Sequence, residues 1–266
     1  MDSSPEFVVV LCRAREAGNV GAACRAMAAM GLSRLVLADC PEFPPDPVRT
    51  FALKAYSLFE AARRFDTLEE ALADCSLAAG FTRRAGRLRA REPRGVTEFS
   101  RDAVRRSGRV ALVFGNEADG LSASELALCD LAVRIPTSED FPSLNLAQAV
   151  QIAAWEIARA EAERRADRTG VSGSARGGRR GGEPETPAPG TVREGGPAPR
   201  SEILREVEAA AEDLARAGFF KIAGRPALVR FLRSLLARAG ADSWELRYFR
   251  RILGKAAALS VRRSEP

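Results

Sequence analysis

Four short segments carry residue types that could do chemistry. The first is Gly18-Asn19-Val20-Gly21, leading to Arg25-Ala26-Met27. Its glycines permit a tight turn and a close backbone approach. The helix it opens would present free N–H groups to an anion. Asn19 and Arg25 are six residues apart, so both can border one pocket. The second is Phe81-Thr82-Arg83-Arg84, followed by Arg87, Arg89, Arg91 and Arg94. This run reads as a phosphate clamp or as a surface loop. The third, Phe114-Gly115-Asn116-Glu117-Ala118-Asp119-Gly120-Leu121, puts a carboxylate two residues after a glycine that would let a ligand approach the main chain. The fourth runs from Ile135-Pro136 to Pro142-Ser143-Leu144-Asn145-Leu146-Ala147-Gln148-Ala149. Ser143 there could cap a helix. Asn145 falls in the first turn, where a middling helix former asks for a reason.

The chemistry open to these segments is bounded by what the chain lacks. It has no histidine among its 266 residues, which removes Ser-His-Asp and Cys-His catalysis and imidazole proton shuttles. Cys12, Cys24, Cys40, Cys75 and Cys129 are odd in number and widely spaced. Free thiols in a reducing compartment fit better than disulfides or a zinc site, and no metal is expected. The phosphate-loop, dinucleotide and nucleophile-elbow patterns are missing too.

The elements that must position the four segments follow from apolar runs. Phe7–Leu11, Arg34–Ala38, Leu77–Phe81, Val110–Phe114 and Leu131–Ile135 read as strands covered on both faces. Helices are predicted near 20–30, 48–63, 67–74, 96–107, 122–128 and 144–166, two of them started by the boxes Thr67/Glu70 and Ser122/Glu125. This alternation predicts an α/β domain with a parallel sheet. Ligands in such sheets sit beyond the carboxyl ends of the strands, where all four segments fall.

Residues 170–200 hold nine Gly and five Pro but, among large apolar side chains, only Val171 and Val192. Such a stretch cannot offset its ordering entropy and is expected to be a flexible linker. Three helices follow, about 202–217, 225–238 and 242–260. Expected domain bounds are thus 1–165, a linker at 166–200, and a helical extension at 201–266. Net charge is −2 over 1–162, +3 over 163–200 and +5 over 201–266. Lys221 to Lys255 alone carries nine basic and two acidic side chains. That uneven placement points to a phosphate-bearing partner for the extension. No apolar run approaches the ~20 residues of a membrane span. The acidic start Met1–Glu6 lacks a signal pattern, so a cytoplasmic protein without membrane partners is expected.

Taken in order, the first, third and fourth segments resemble the three motifs of the SPOUT class of S-adenosylmethionine-dependent RNA methyltransferases. The chain is most similar to the TrmJ branch, tRNA ribose 2′-O-methyltransferases with a linker and a short helical extension. Glu245-Leu246-Arg247-Tyr248-Phe249-Arg250-Arg251-Ile252-Leu253 looks like that extension's closing segment. The resemblance implies a parallel α/β fold with a C-terminal trefoil knot, and a homodimer with its active site at the interface. It implies S-adenosylmethionine as cofactor, held against Phe81, Thr82, Arg83, Gly115, Ile135, Pro142, Ser143 and Leu144. Asn19, Arg25, Glu117, Ser143 and Asn145 match active-site positions. The Arg at position 25 is often assigned as a general base in this family. Because a guanidinium pKa exceeds ~12, the preferred expectation is that Arg25 holds a substrate phosphate and favours the developing alkoxide. Ser143, Asn145 and Asn19 would orient the ribose and Arg25, and Glu117 would position either Arg25 or the cofactor. The implied substrate is tRNA, at nucleotide 32 of the anticodon loop. Ribosomal RNA methylation and an inactive RNA-binding module are the competing readings. Cys24 and the Thr82-Arg83-Arg84 loop depart from the family's usual residues.

Overall fold

The structure, a computed structural model, describes residues 4–83, 93–169, 196–220 and 224–264. The central sheet is built from β1 Glu6–Cys12, β2 Arg34–Ala38, β3 Arg63–Phe65, β4 Leu77–Phe81, β5 Arg94–Gly95, β6 Arg109–Phe114 and β7 Leu131–Arg134. Its order is β3-β2-β1-β6-β4-β7-β5, and every pairing is parallel. Because side chains alternate along a strand, Val9, Leu11, Leu35, Leu37, Leu112 and Phe114 face one side, and Val8, Val10, Val36, Ala111 and Val113 face the other. Both faces are covered, which is why these strands are continuous apolar runs. Helices α1 Ala17–Ala29, α2 Pro45–Ala52, α5 Val96–Ala103 and α7 Leu146–Thr169 lie on the first side. Helices α4 Leu68–Leu72 and α6 Ala123–Leu128 lie on the other.

The predicted strands are all present, with β7 ending at Arg134 and Ile135 released into the following loop. Two strands were not predicted. β3 and β5 are short and polar, pairing at the sheet's two edges where no apolar run is needed. The single helix expected over 48–63 is instead α2, a tight 3-10 turn Leu53–Ala55, and α3 Tyr56–Glu60. The break falls at Leu53, whose φ of 52° lies outside the helical region.

Beyond α7 come α8 Arg200–Arg216, α9 Arg225–Ala239 and α10 Ser243–Ser264. They pack together through buried Ile203, Val207, Ala210 and Leu246. The small bundle sits on the domain at the amino ends of the strands, opposite the four segments. Arg200 donates to the carboxylate of Asp130 and to the Leu128 carbonyl. The Arg200 and Ser201 amides donate to the Cys75 and Ala73 carbonyls at 2.9 and 3.1 Å. Arg233 donates to the Ala127 carbonyl, and Ser234 Oγ to the Asp130 carbonyl at 2.7 Å. From the domain side, Arg106 donates to the Ala237 and Arg238 carbonyls at the end of α9, at 2.7 and 2.9 Å. Arg200 at the start of α8 and Arg233 of α9 are therefore spent on docking. The expected 166–200 stretch is narrowed from both ends: α7 continues to Thr169, and Ala198 and Arg200 are buried. Residues 170–195, with Arg84, Arg87, Arg89, Arg91 and Lys221, lie outside the described residues. No described helix is long and apolar enough to cross a membrane.

Candidate active site

Three strand ends converge on one cleft. The end of β4 contributes Phe81, Thr82 and Arg83, the β6–α6 loop contributes Phe114 to Leu121, and the segment after β7 contributes Ile135, Thr137, Pro142, Ser143 and Leu144. Leu146 and Ala149 of α7 complete it. All eight residues expected against the cofactor line this cleft: Phe81, Thr82, Arg83, Gly115, Ile135, Pro142, Ser143 and Leu144. Its base is aromatic, with the Phe81 and Phe114 rings stacked at 4.5 Å.

Gly115 serves a different purpose from the one its sequence context predicts. A Cβ there would lie 2.1 Å from the Gly120 carbonyl carbon and 2.2 Å from the Leu121 nitrogen. The close approach is therefore made by the loop's own return strand. Asn116 and Gly120 bridge as an antiparallel pair, with the Gly120 amide 3.0 Å from the Asn116 carbonyl. Gly21 is a parallel case, since a Cβ would lie 2.3 Å from the Val48 carbonyl of α2. Gly115→Ala is expected to open the β6–α6 loop and to lower affinity for the cofactor that the resemblance implies by at least tenfold, ~1.4 kcal/mol. Calorimetric titration with S-adenosylmethionine checks this, and wild-type affinity would contradict it.

The anion expected at the start of α1 is supplied by the protein itself. The Arg15 amide donates to Glu117 Oε2 at 3.2 Å, and the Glu16 amide donates to Oε1 at 3.2 Å. A carboxylate suits the positive end of α1. Asn19 Nδ2 also donates to Glu117 Oε1, at 3.1 Å. Asn145 Nδ2 in turn donates to Asn19 Oδ1 at 2.9 Å. A hydrogen-bonded chain Glu117–Asn19–Asn145 thus fastens three segments together. Glu117 holds neither Arg25 nor any described cation.

Asn145, rather than Ser143, caps α7. Its Oδ1 accepts from the Ala147 amide at 2.8 Å, and Gln148 Oε1 accepts from the Asn145 amide at 3.1 Å. This reciprocal pairing explains an Asn at a position that sequence placed inside the first turn. Ser143 is exposed on the cleft wall and makes no hydrogen bond to a described residue. Arg25 is the outlier. It is exposed on α1, is absent from the cleft lining, and has no hydrogen bond or ion pair among the described residues.

Sequence reasoning missed the clamp behind the cleft. Arg13, at φ 57°, follows β1. Its Nε and Nη2 donate to the Glu125 carboxylate, the latter at 2.9 Å to Oε2, and Nη2 reaches the Gly120 carbonyl at 3.2 Å. Glu125 Oε2 also accepts from the Ser122 amide at 2.6 Å, completing the predicted capping box. That box was legible, but nothing in the spacing pairs Glu125 with Arg13 across more than a hundred residues. Burial opposes the Glu125 charge, yet hydrogen bonds from Arg13 and Ser122 outweigh it and hold its pKa down to about 2. Burial and the adjacent Glu125 push the Cys12 thiol well up. A depressed carboxylate stabilises the fold above its ordinary pKa of 4.5 and loses that contribution as pH falls through about 2. Arg13→Met is therefore expected to flatten the loss of stability across this window. Urea midpoints measured as a function of pH report it, and parallel wild-type and variant profiles would refute it.

A parallel α/β domain with a glycine-closed loop at the carboxyl ends of its inner strands defines a class, and the comparisons specify it. Residues 6–155 match the SpoU rRNA Methylase family, so the chain belongs to that family and is a methyltransferase. It is 34% identical over 252 residues to the tRNA (cytidine/uridine-2′-O-)-methyltransferase TrmJ of Yersinia pestis Pestoides F, covering 92% of this chain and 89% of that one. It is 42% identical over 151 residues to the tRNA (cytidine/uridine/adenosine-2′-O-)-methyltransferase TrmJ of Pseudomonas aeruginosa UCBPP-PA14, a match spanning 56% of this chain and only 59% of that relative. The crystal structure of TrmJ from Z. mobilis ZM4 superposes with a TM-score of 0.68 at 26% identity, covering 94% and 98% of the two chains.

Proposed function

We propose that the chain is an S-adenosylmethionine-dependent tRNA ribose 2′-O-methyltransferase acting at nucleotide 32 of the anticodon loop. The observation that carries this reading is the joining of three motif segments by Glu117, Asn19 and Asn145 around one cleft. The similarity to tRNA 2′-O-methyltransferases over 92% of the chain supplies the substrate class. The cleft suits the cofactor chemically: Phe81, Phe114, Leu121, Ile135, Leu144 and Leu146 offer apolar walls to a flat ring, beside main chain able to hydrogen-bond. A C-terminal trefoil knot belongs to the same reading, on the resemblance of the motifs alone.

The cofactor, when bound, supplies an already activated methyl group, so the protein's work is placement and charge. Ser143 holds the ribose from the cleft wall. Glu117, Asn19 and Asn145 keep the three segments in register; they are positioning residues. Arg25 holds the substrate phosphate, and its cation lowers the cost of charge developing on the 2′ oxygen. Its exposure away from its own cleft supports a homodimer in which Arg25 completes the partner's site. The helical extension contacts tRNA through the cations left free by docking.

The test uses the purified full chain, S-adenosylmethionine with a labelled methyl group, and unmodified tRNA and ribosomal RNA. Ribose-methylation mapping is expected to find label at nucleotide 32. Label confined to ribosomal RNA would overturn the substrate assignment. Absence of transfer together with absence of binding heat near ~1 mM cofactor would overturn the enzymatic reading, since that limit is only ~4.1 kcal/mol of affinity.

A further inference from the structure

We propose that Trp244 and Tyr248 of α10 form a stacking platform for an unpaired nucleobase of the RNA substrate, at a site separate from the cleft. The inference rests on the RNA-methyltransferase reading and gives its extension a specific task. The two rings are four residues apart, so they share one helix face. They are stacked with centroids 5.3 Å apart and planes within 5°. Trp244 is 56% exposed and Tyr248 46% exposed. The Arg251 guanidinium lies over Tyr248, 5.4 Å from its centroid. The result is a column of flat groups in solvent, where side chains of this size more often bury their rings.

The charges around the column decide what fits it. Arg225, Arg233 and Arg250 of the same basic stretch are committed to Glu208 and Glu212, the Ala127 carbonyl, and Asp213. Arg247 and Lys255 are exposed and have no ion pair among the described residues, and Arg251 has only its contact with Tyr248. The nearby acids are turned away. Asp242 and Glu245 cap α10 by exchanging hydrogen bonds of 2.8 and 2.9 Å with each other's amides. Free cations therefore alternate with Trp244, Tyr248 and the exposed Ile252 along one helix. A protein partner would have to desolvate three cations, whereas a nucleic acid backbone pairs them while a base stacks on the rings. Bases inside a duplex have no free face, so the ligand is an unpaired base. No residue lining the cleft belongs to α8, α9 or α10.

The chain's two tryptophans are Trp155 and Trp244, so Trp155→Phe isolates the platform's fluorescence. In the full-length protein, an oligouridine of about 12 nucleotides, within the ~4–16 nucleotide range of single-strand sites, is expected to quench Trp244. The same strand annealed to its complement is expected not to. Trp244→Ala/Tyr248→Ala should weaken tRNA binding about tenfold with an unchanged salt slope, because stacking releases few counterions. Trp244→Phe/Tyr248→Phe should restore most of the affinity. Arg247→Ala/Arg251→Ala/Lys255→Ala should instead reduce the slope. Wild-type affinity in the aromatic double-alanine variant, while wild type still methylates tRNA, would overturn the platform alone. A change of oligomeric mass in that variant on sedimentation would overturn it in favour of a contact between copies. Failure of the wild-type chain both to bind and to methylate tRNA would remove the reading beneath it.

Discussion

Arg25→Ala is expected to reduce methyl transfer at saturating cofactor and tRNA by at least ~10²–10³, the scale for removing one preorganised charge-stabilising group. Cofactor affinity should stay within about tenfold, ~1.4 kcal/mol, because Arg25 does not line the cleft. Stability should change by no more than ~0.5 kcal/mol, as at other exposed positions without partners. Arg25→Lys should recover only part of the rate, since an ammonium keeps the charge and loses the planar fork. Mixing tests which chain Arg25 serves. If it completes the partner's site, co-refolded Arg25→Ala and Ser143→Ala chains form mixed dimers with one intact cleft, and activity returns. If each cleft uses its own Arg25, no mixed dimer is intact and the mixture stays inactive. Turnover by Arg25→Ala alone at the wild-type rate would end its assignment to the chemistry.

The largest stability effect is expected at Asp130, far from the cleft. Its side chain is fully enclosed, accepts from the Ala78 amide at 2.9 Å, and pairs with Arg200. Arg233 Nε lies 3.9 Å from its other oxygen. Asp130→Ala would leave a buried guanidinium without its carboxylate and an amide without its acceptor, a loss of ~3–5 kcal/mol. At ~2–4 °C per kcal/mol for a chain of this size, the melting temperature should fall by ~6–20 °C. Asp130→Asn keeps an acceptor for Ala78 and should lose less. A calorimetric scan measures both, and an unchanged Asp130→Ala melting temperature would mean that α8 and α9 do not dock there in solution. The same pairing makes removal of α8 to α10, from Arg200 onward, a poor probe of RNA binding: it would unpair Asp130 and expose the surface under Ile203. Substitutions on the exposed face of α10 avoid that confusion.

The five principal strands were legible because each is buried on both faces and must be apolar throughout. β3 and β5 were not, because edge strands pair through backbone and need no apolar side chains. The cleft was legible as three of the four segments at strand ends; the first supplies no lining residue and is tied to the others through Asn19. Their wiring was not. Glu117 reads as a free carboxylate two residues after a glycine, yet its oxygens are taken by the Arg15 and Glu16 amides and by Asn19. Asn145 reads as a site residue and also caps α7. The extension reads from sequence as a basic stretch for a phosphate-bearing partner, yet Arg233 and Arg250 are structural; among the described residues, exposed cations without an ion pair remain at Arg230 of α9 and at Arg247, Arg251 and Lys255 of α10.

Local order in the chain was enough to specify a parallel α/β domain, its loops and a trailing group of helices, because apolar periodicity and capping pairs are properties of neighbouring residues; the methyltransferase class came from the resemblance of its ordered motifs. Which anion meets α1, which arginine clamps the β6–α6 loop, and which cations stay free depended on pairs brought together from opposite ends of the sequence. Those choices are made by packing, where a glycine's missing Cβ or one buried carboxylate determines which distant group can approach.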